Sequence, residues 1–326
     1  MNAKLSERCE LFANNRDVDA KFIWDPFYMV PVAAAYQTNE GKTADAAKMK
    51  ECAKILKKHV GAFSEFRNNM RLSMISKMSL SDDPTKYLEG VLEVYKKLKD
   101  VYTFGSAYLV LAAMVIYDHK DSVFVDTVIE KSKNLLTGIK KDHPFITSRE
   151  DLSMIAMLAM LDRSEADILN DVEQCYQLLK KEMPMHSNSL QTISFVLATS
   201  TMEPSVKVER FMSLKSLLSE KNVNCHVGSH LASVASCAIM DCSLEDIASD
   251  IADANAYLKG RKGFGAWGVG KNARIMYAAM LVGECNSTDS AASMTGVTAS
   301  AIAATIAAQV AILCAIAASS SNATRH

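Results

Sequence analysis

The sequence predicts an all-α protein of about seven stacked helical hairpins, a solenoid closing toward an α/α toroid. Three observations lead there. A Leu or Ile, usually beside Lys, closes a helical stretch at Leu56, Leu98, Ile139, Leu179, Leu218 and Leu258. That recurrence, roughly every 40 residues, is the period of stacked helical pairs. Apolar stretches alternate with amphipathic ones along the same period. No run shows the period-2 alternation of a half-buried strand.

The apolar helix of each unit is expected at Tyr28–Tyr36, Leu72–Leu80, Tyr108–Tyr117, Leu152–Leu161, Ile193–Ala198, Leu231–Met240 and Ile275–Val282. A helix without a polar face is buried on most sides. The amphipathic partner is expected to follow it. After Pro84, residues Leu88, Val91, Leu92, Tyr95 and Leu98 form one face, and Lys86, Glu89, Glu93, Lys96 and Lys97 the other. The amphipathic helices carry start signals. Ser81-Asp82-Asp83-Pro84 offers an acidic N-cap and Pro at the first helical position, and Glu203-Pro204 repeats the Pro. Ser164 with Asp167, and Ser243 with Asp246, have capping-box spacing.

These units place one repeat domain over residues 22–318, after a lead-in at 1–21 and before a short tail at 319–326. The last helix, 290–318, has no charged residue, and Ala299–Ala318 is mostly Ala, Ile and Val. That stretch is long enough to span a bilayer, but Ala inserts weakly. A packed helix is the preferred reading, with a membrane anchor as the alternative. An open solenoid needs polar end caps. An apolar last helix therefore favours a nearly closed ring, or a dimer that covers it.

Composition narrows the function classes. Hydrophobic residues make up 49% and charged residues 22%, so the chain is globular rather than disordered. A formal net charge of −1 gives no general attraction to nucleic acid, which is not an expected partner. The first 19 residues are charged, without the apolar core of a signal peptide. The eight cysteines are scattered, and read as reduced thiols in a cytoplasmic protein.

The loops leading into the apolar helices hold most of the candidate site residues, and hairpin stacking puts these loops on one rim. The first has Asp25. The second has Arg67, Asn68 and Arg71, and the third Tyr108. Ser148, Glu150 and Asp151 precede the fourth apolar helix, and His230 lies in the sixth. The last loop is rich in glycine. Gly263-Phe264-Gly265-Ala266-Trp267-Gly268 fits G-x-G-x-x-G, but a helix precedes it where that motif needs a strand. Gly265, Gly268 and Gly270 lead into a helix start with Lys271 and Arg274, an arrangement suited to an anion. Cys225-His226 with His230 invites zinc, yet no C-x-x-C is present, and neither a metal nor a cofactor is assigned. The expected partner is a small anionic ligand or a peptide held at the loop rim. The alternative is a toroidal hydrolase or transferase acting on an anionic substrate.

Several stretches resemble an uncharacterised bacterial family, domain of unknown function 4003. They are Leu11–Asp17, Phe63–Leu72, Leu80–Pro84, His143–Ser148, and Lys262–Gly265 through Met276–Met280. The likeness spans nearly the whole chain and implies no activity or site residues. Toroidal lanthionine cyclases look similar in having seven helical hairpins, but their zinc sites need two separated Cys-containing motifs.

Overall fold

Short capped turns start the amphipathic helices as their sequences dictate. Asp45 accepts from the N–H groups of Ala47 and Lys48, and Asp83 from that of Lys86. Ser164 and Ser243 accept from the N–H groups of Asp167 and Asp246. Pro84 and Pro204 open their helices, where a missing N–H leaves no bond unmade. Asp45 and Asp83 are therefore caps, each worth about 1 kcal/mol.

The computed structural model describes residues 1–22, 29–62, 64–68, 70–102, 105–144, 146–147, 151–183, 187–225, 228–265 and 268–292. Among them every regular element is helical. The amphipathic series is α1 (Ala3–Asp19), α3 (Ala46–His59), α5 (Pro84–Val101), α7 (Val125–Asp142), α9 (Glu165–Glu182), α11 (Pro204–Glu220) and α13 (Leu244–Lys259). The apolar series is α2 (Val30–Asn39), α4 (Arg71–Leu80), α6 (Ala107–Asp118), α8 (Leu152–Ala159), α10 (Ser187–Leu197), α12 (Gly228–Ala238) and α14 (Gly270–Ala292). A 3-10 turn, Glu65–Arg67, precedes α4.

Each amphipathic helix packs on the apolar helix that follows it, from α1 on α2 to α13 on α14. The unit therefore begins one helix earlier than the sequence suggested. The stretch 1–21, expected as a lead-in, is mostly α1, which packs on α2, α13 and α14. The expected last helix over 290–318 lies outside the described residues, apart from the three positions that end α14. No helix among the described residues is long and apolar enough to cross a membrane.

A second regularity was not foreseen. The last carbonyls of a helix lack intrahelical donors, and here cations from the preceding amphipathic helix supply them. Lys48 donates to Ser81 O at 2.8 Å, and Lys131 to Leu161 O and Arg163 O at 2.6 and 2.7 Å. Arg210 donates to Ala238 O and Met240 O, both at 2.8 Å, and Arg8 to Thr38 O. A cation at a helix C-terminus also complements the macrodipole. Between α9 and α11 the device becomes a buried charge cluster. Fully buried Lys207 lies 2.7 Å from Asp171 Oδ2, Arg163 lies 2.9 Å from the same carboxylate, and Arg163 also donates to Ala198 O.

Neighbouring amphipathic helices meet with a constant offset. The second half of one touches the first half of the next: Lys97 on Asp126 at 2.8 Å, Asn134 on Glu165 at 3.0 Å, His143 on Glu173 at 2.6 Å. The same offset joins α13 to α1, where the amine of Met1 bonds Asp253. Phe12 of α1 packs on Phe264 and Tyr277, each with ring centroids 5.5 Å apart, so the first and last helices share one core.

Candidate functional site

The loops that end each amphipathic helix and lead into the apolar one define the candidate site. Of the sequence-predicted residues, Asp25, Ser148 and Glu150 lie outside the described residues, as does His226. The rest are placed as follows.

The glycine-rich turn folds upon itself. The N–H of Gly268 donates to Gly265 O at 3.0 Å, that of Val269 to Gly263 O at 3.0 Å, and that of Gly270 to Gly265 O at 3.3 Å. Gly263 and Gly270 have φ of +84° and +78°, and a Cβ on Gly268 would lie 2.0 Å from Gly263 O. Backbone geometry accounts for these three glycines. The N–H groups of Gly268, Val269 and Gly270 face the turn's own carbonyls, so these three are not free to hold an anion.

The four cations of the loop rim, Arg67, Arg71, Lys271 and Arg274, are not all open charges. Arg274 is 8% exposed, and donates to Phe264 O at 2.8 Å and Asn255 Oδ1 at 3.0 Å. It pins the turn to α13, and burial lowers its pKa from the ordinary value. Arg67 donates to Val60 O at 3.2 Å, bracing its own loop. Arg71, Tyr108 and Asp151 are half-buried and already engaged. Asn68 and Lys271 are exposed.

His230 sits in the first turn of α12 at 3% exposure, with Nδ1 buried and without a hydrogen-bond partner among the described residues. Burial pushes its pKa down to about 4, so it is neutral at pH 7. On the adjacent α10, Gln191 donates to Thr147 Oγ1 at 3.1 Å, and Thr147 donates to His143 O at 2.9 Å. His143 then meets Glu173. This relay ties α7, α9 and α10 to the loop before α8. Sequence reasoning missed it, because nothing in the local pattern pairs residues that lie in different repeats.

What the loop end does offer is lysine. Lys57 and Lys58 lie in the last turn of α3, Lys140 and Lys141 in that of α7, and Lys180 and Lys181 in that of α9. All six are exposed and form no ion pair among the described residues. Lys99 closes α5 and Lys259 closes α13 in the same way. Single acids, Asp100, Asp142 and Glu182, follow in α5, α7 and α9, leaving an excess of positive charge. The apolar helices begin at this end too, with the positive poles of their dipoles. The acidic caps Asp45 and Asp83, and the first-turn acids Glu165 and Asp246, lie at the other end of the amphipathic helices.

Elsewhere, two open grooves flank α11. One, of about 540 Å³, is walled by Arg210, Ser213, Ser216, Glu220, Ser243 and Glu245. Its opposed charges single out no ligand class.

No curated protein and no solved structure matches the chain. A family model described as "Protein of unknown function (DUF4003)" matches residues 14–311. That match runs from the end of α1 past α14, and the chain belongs to this family.

Proposed function

We propose that the chain forms a closed ring of seven helical hairpins, and that its loop face is a binding surface for an anionic partner. The ring is supported by the junction of α13 with α1, which repeats the offset found between internal neighbours. The observation that carries the function is the set of exposed lysines closing α3, α7 and α9 at the loop end, which form no ion pair among the described residues. A last-turn lysine complements a helix dipole. Paired lysines repeated around one face exceed that need and create a local positive field. The whole-chain charge of −1 conceals this field, because the acids gather at the opposite end.

Binding, rather than catalysis, is the reading favoured here. The buried charge cluster of Asp171, Lys207 and Arg163 lies at the short-turn end, and its members are bonded to one another. The test is fluorescence anisotropy of a labelled polyglutamate chain at low salt. Wild type should bind it, and salt should release it as the Debye length shrinks. Replacing Lys57, Lys58, Lys140, Lys141, Lys180 and Lys181 with Gln should weaken binding at least tenfold. Absence of binding, or equal binding by the variant, would count against the proposal.

A further inference from the structure

Resting on the reading of the loop face as an anion-binding surface, we infer that its partner is the surface of an anionic phospholipid membrane, on which the ring docks face down. The argument begins with the shape of the charge. The last-turn lysine pairs lie on α3, α7 and α9, with Lys99 on α5 and Lys259 on α13 adding to them. They therefore stand around the perimeter of one face instead of along a groove. A rod-like polyanion would touch an arc of that perimeter. A planar array of headgroups meets all of it at once.

The type of residue points the same way. Arginine reads carboxylates and phosphates through two directed bonds, whereas lysine acts as a mobile point charge. At this face the arginines are held inward or sideways. Arg67 braces Val60 O, Arg274 braces Phe264 O, and Arg261 lies over the Tyr257 ring at 4.6 Å. Among the described residues the other exposed cations of this face are mainly lysines, suited to diffuse attraction by a charged surface and not to a fixed arrangement of ligand atoms. Each lysine near such a surface contributes about fivefold to binding.

The opposite face completes the device. Asp45 and Asp83 cap helix starts there, and Glu165, Asp167, Glu245 and Asp246 lie in the first turns of α9 and α13. A disc that is basic on one face and acidic on the other has one docking orientation, because the acidic face is repelled. A net charge near zero does not weaken this, since the field falls off within a Debye length and the near face dominates.

The experiment is co-sedimentation of the full chain with vesicles. One set is phosphatidylcholine alone, and the other carries about 30 mol% phosphatidylserine, a leaflet-like negative potential. Labelled polyglutamate and duplex DNA are measured alongside. The inference expects the serine lipid vesicles to pull the protein down, release by salt, and little binding to neutral vesicles. Lys140→Gln with Lys141→Gln should weaken vesicle binding by roughly 25-fold, about fivefold for each lysine. The same pair of changes on the acidic face, Asp82→Asn with Asp83→Asn, should not weaken it. Equal binding to both vesicle types would overturn the inference in favour of apolar insertion. Binding to polyglutamate or DNA without binding to vesicles would overturn it while leaving the anion-binding face standing. If nothing anionic binds, the reading of the face itself falls.

Discussion

Gly268 shows how much a single position in the last loop carries. A methyl group there would meet the carbonyl of Gly263, and that oxygen cannot swing aside because it accepts the Val269 N–H. Gly268→Ala should therefore destabilise the protein by roughly 2 kcal/mol or more. Gly265 is the control. No atom lies within 4 Å of an added Cβ and its φ is ordinary, so Gly265→Ala should change the urea midpoint little. Similar losses at both sites would contradict the turn as drawn. The sequence makes this stretch conspicuous through its glycines and its cations. It does not reveal that Arg274 reaches back ten residues to Phe264 O, because i and i+3 spacing fixes a shared helix face and not the partner met there.

At the scale of elements, α1 is the helix whose seams hold buried acids. Asp19, fully buried, accepts from Gln37 of α2, and burial raises its pKa to about 7 against the small opposing effect of that bond. Glu284 of α14 is also fully buried, and burial raises its pKa to about 8, while the charge of Arg8 on α1 pulls it down. A carboxyl group with a raised native pKa binds its proton more tightly when folded. Its contribution is complete below the unfolded values of 3.8 and 4.5, and is lost as pH rises through about 7 for Asp19 and about 8 for Glu284. His230 has the opposite sign. Its contribution is complete above 6.5 and lost as pH falls through about 4. Stability should thus rise as pH is lowered from about 9 to about 6.5, with a slope of up to ~1.4 kcal/mol per unit for each acid. Urea midpoints across that range give the check. Glu284→Gln should flatten the slope, and an unchanged slope in that variant would remove Glu284 from the account. None of this is legible in sequence, where Asp19 ends an ordinary polar turn and Glu284 lies in an apolar run.

For the whole molecule, the period of about 40 residues and the helix caps were readable because they are local and repeat. The phase of the repeat was not. A period looks the same whichever helix is taken as first, and in sequence each unit reads as an apolar helix followed by its amphipathic partner. Packing depends on how helices cross, and the structure pairs them across the longer loops instead. The core shared by the first and last helices is likewise a long-range fact. In an open array each unit contacts only its neighbours, so damage to the first helix stays local. In a closed ring the same damage must reach the last hairpin. Phe12 is the residue to change, because it is fully buried and its ring meets both Phe264 and Tyr277. Phe12→Ala should destabilise the protein by about 3–5 kcal/mol through the cavity it leaves. Hydrogen exchange read segment by segment should then quicken in α1 and α2, and also in α13 and α14. Helices α7 and α8, far from the seam, should keep more of their protection. Faster exchange confined to α1–α4, with α13 and α14 as protected as in wild type, would mean that the chain ends do not meet in solution.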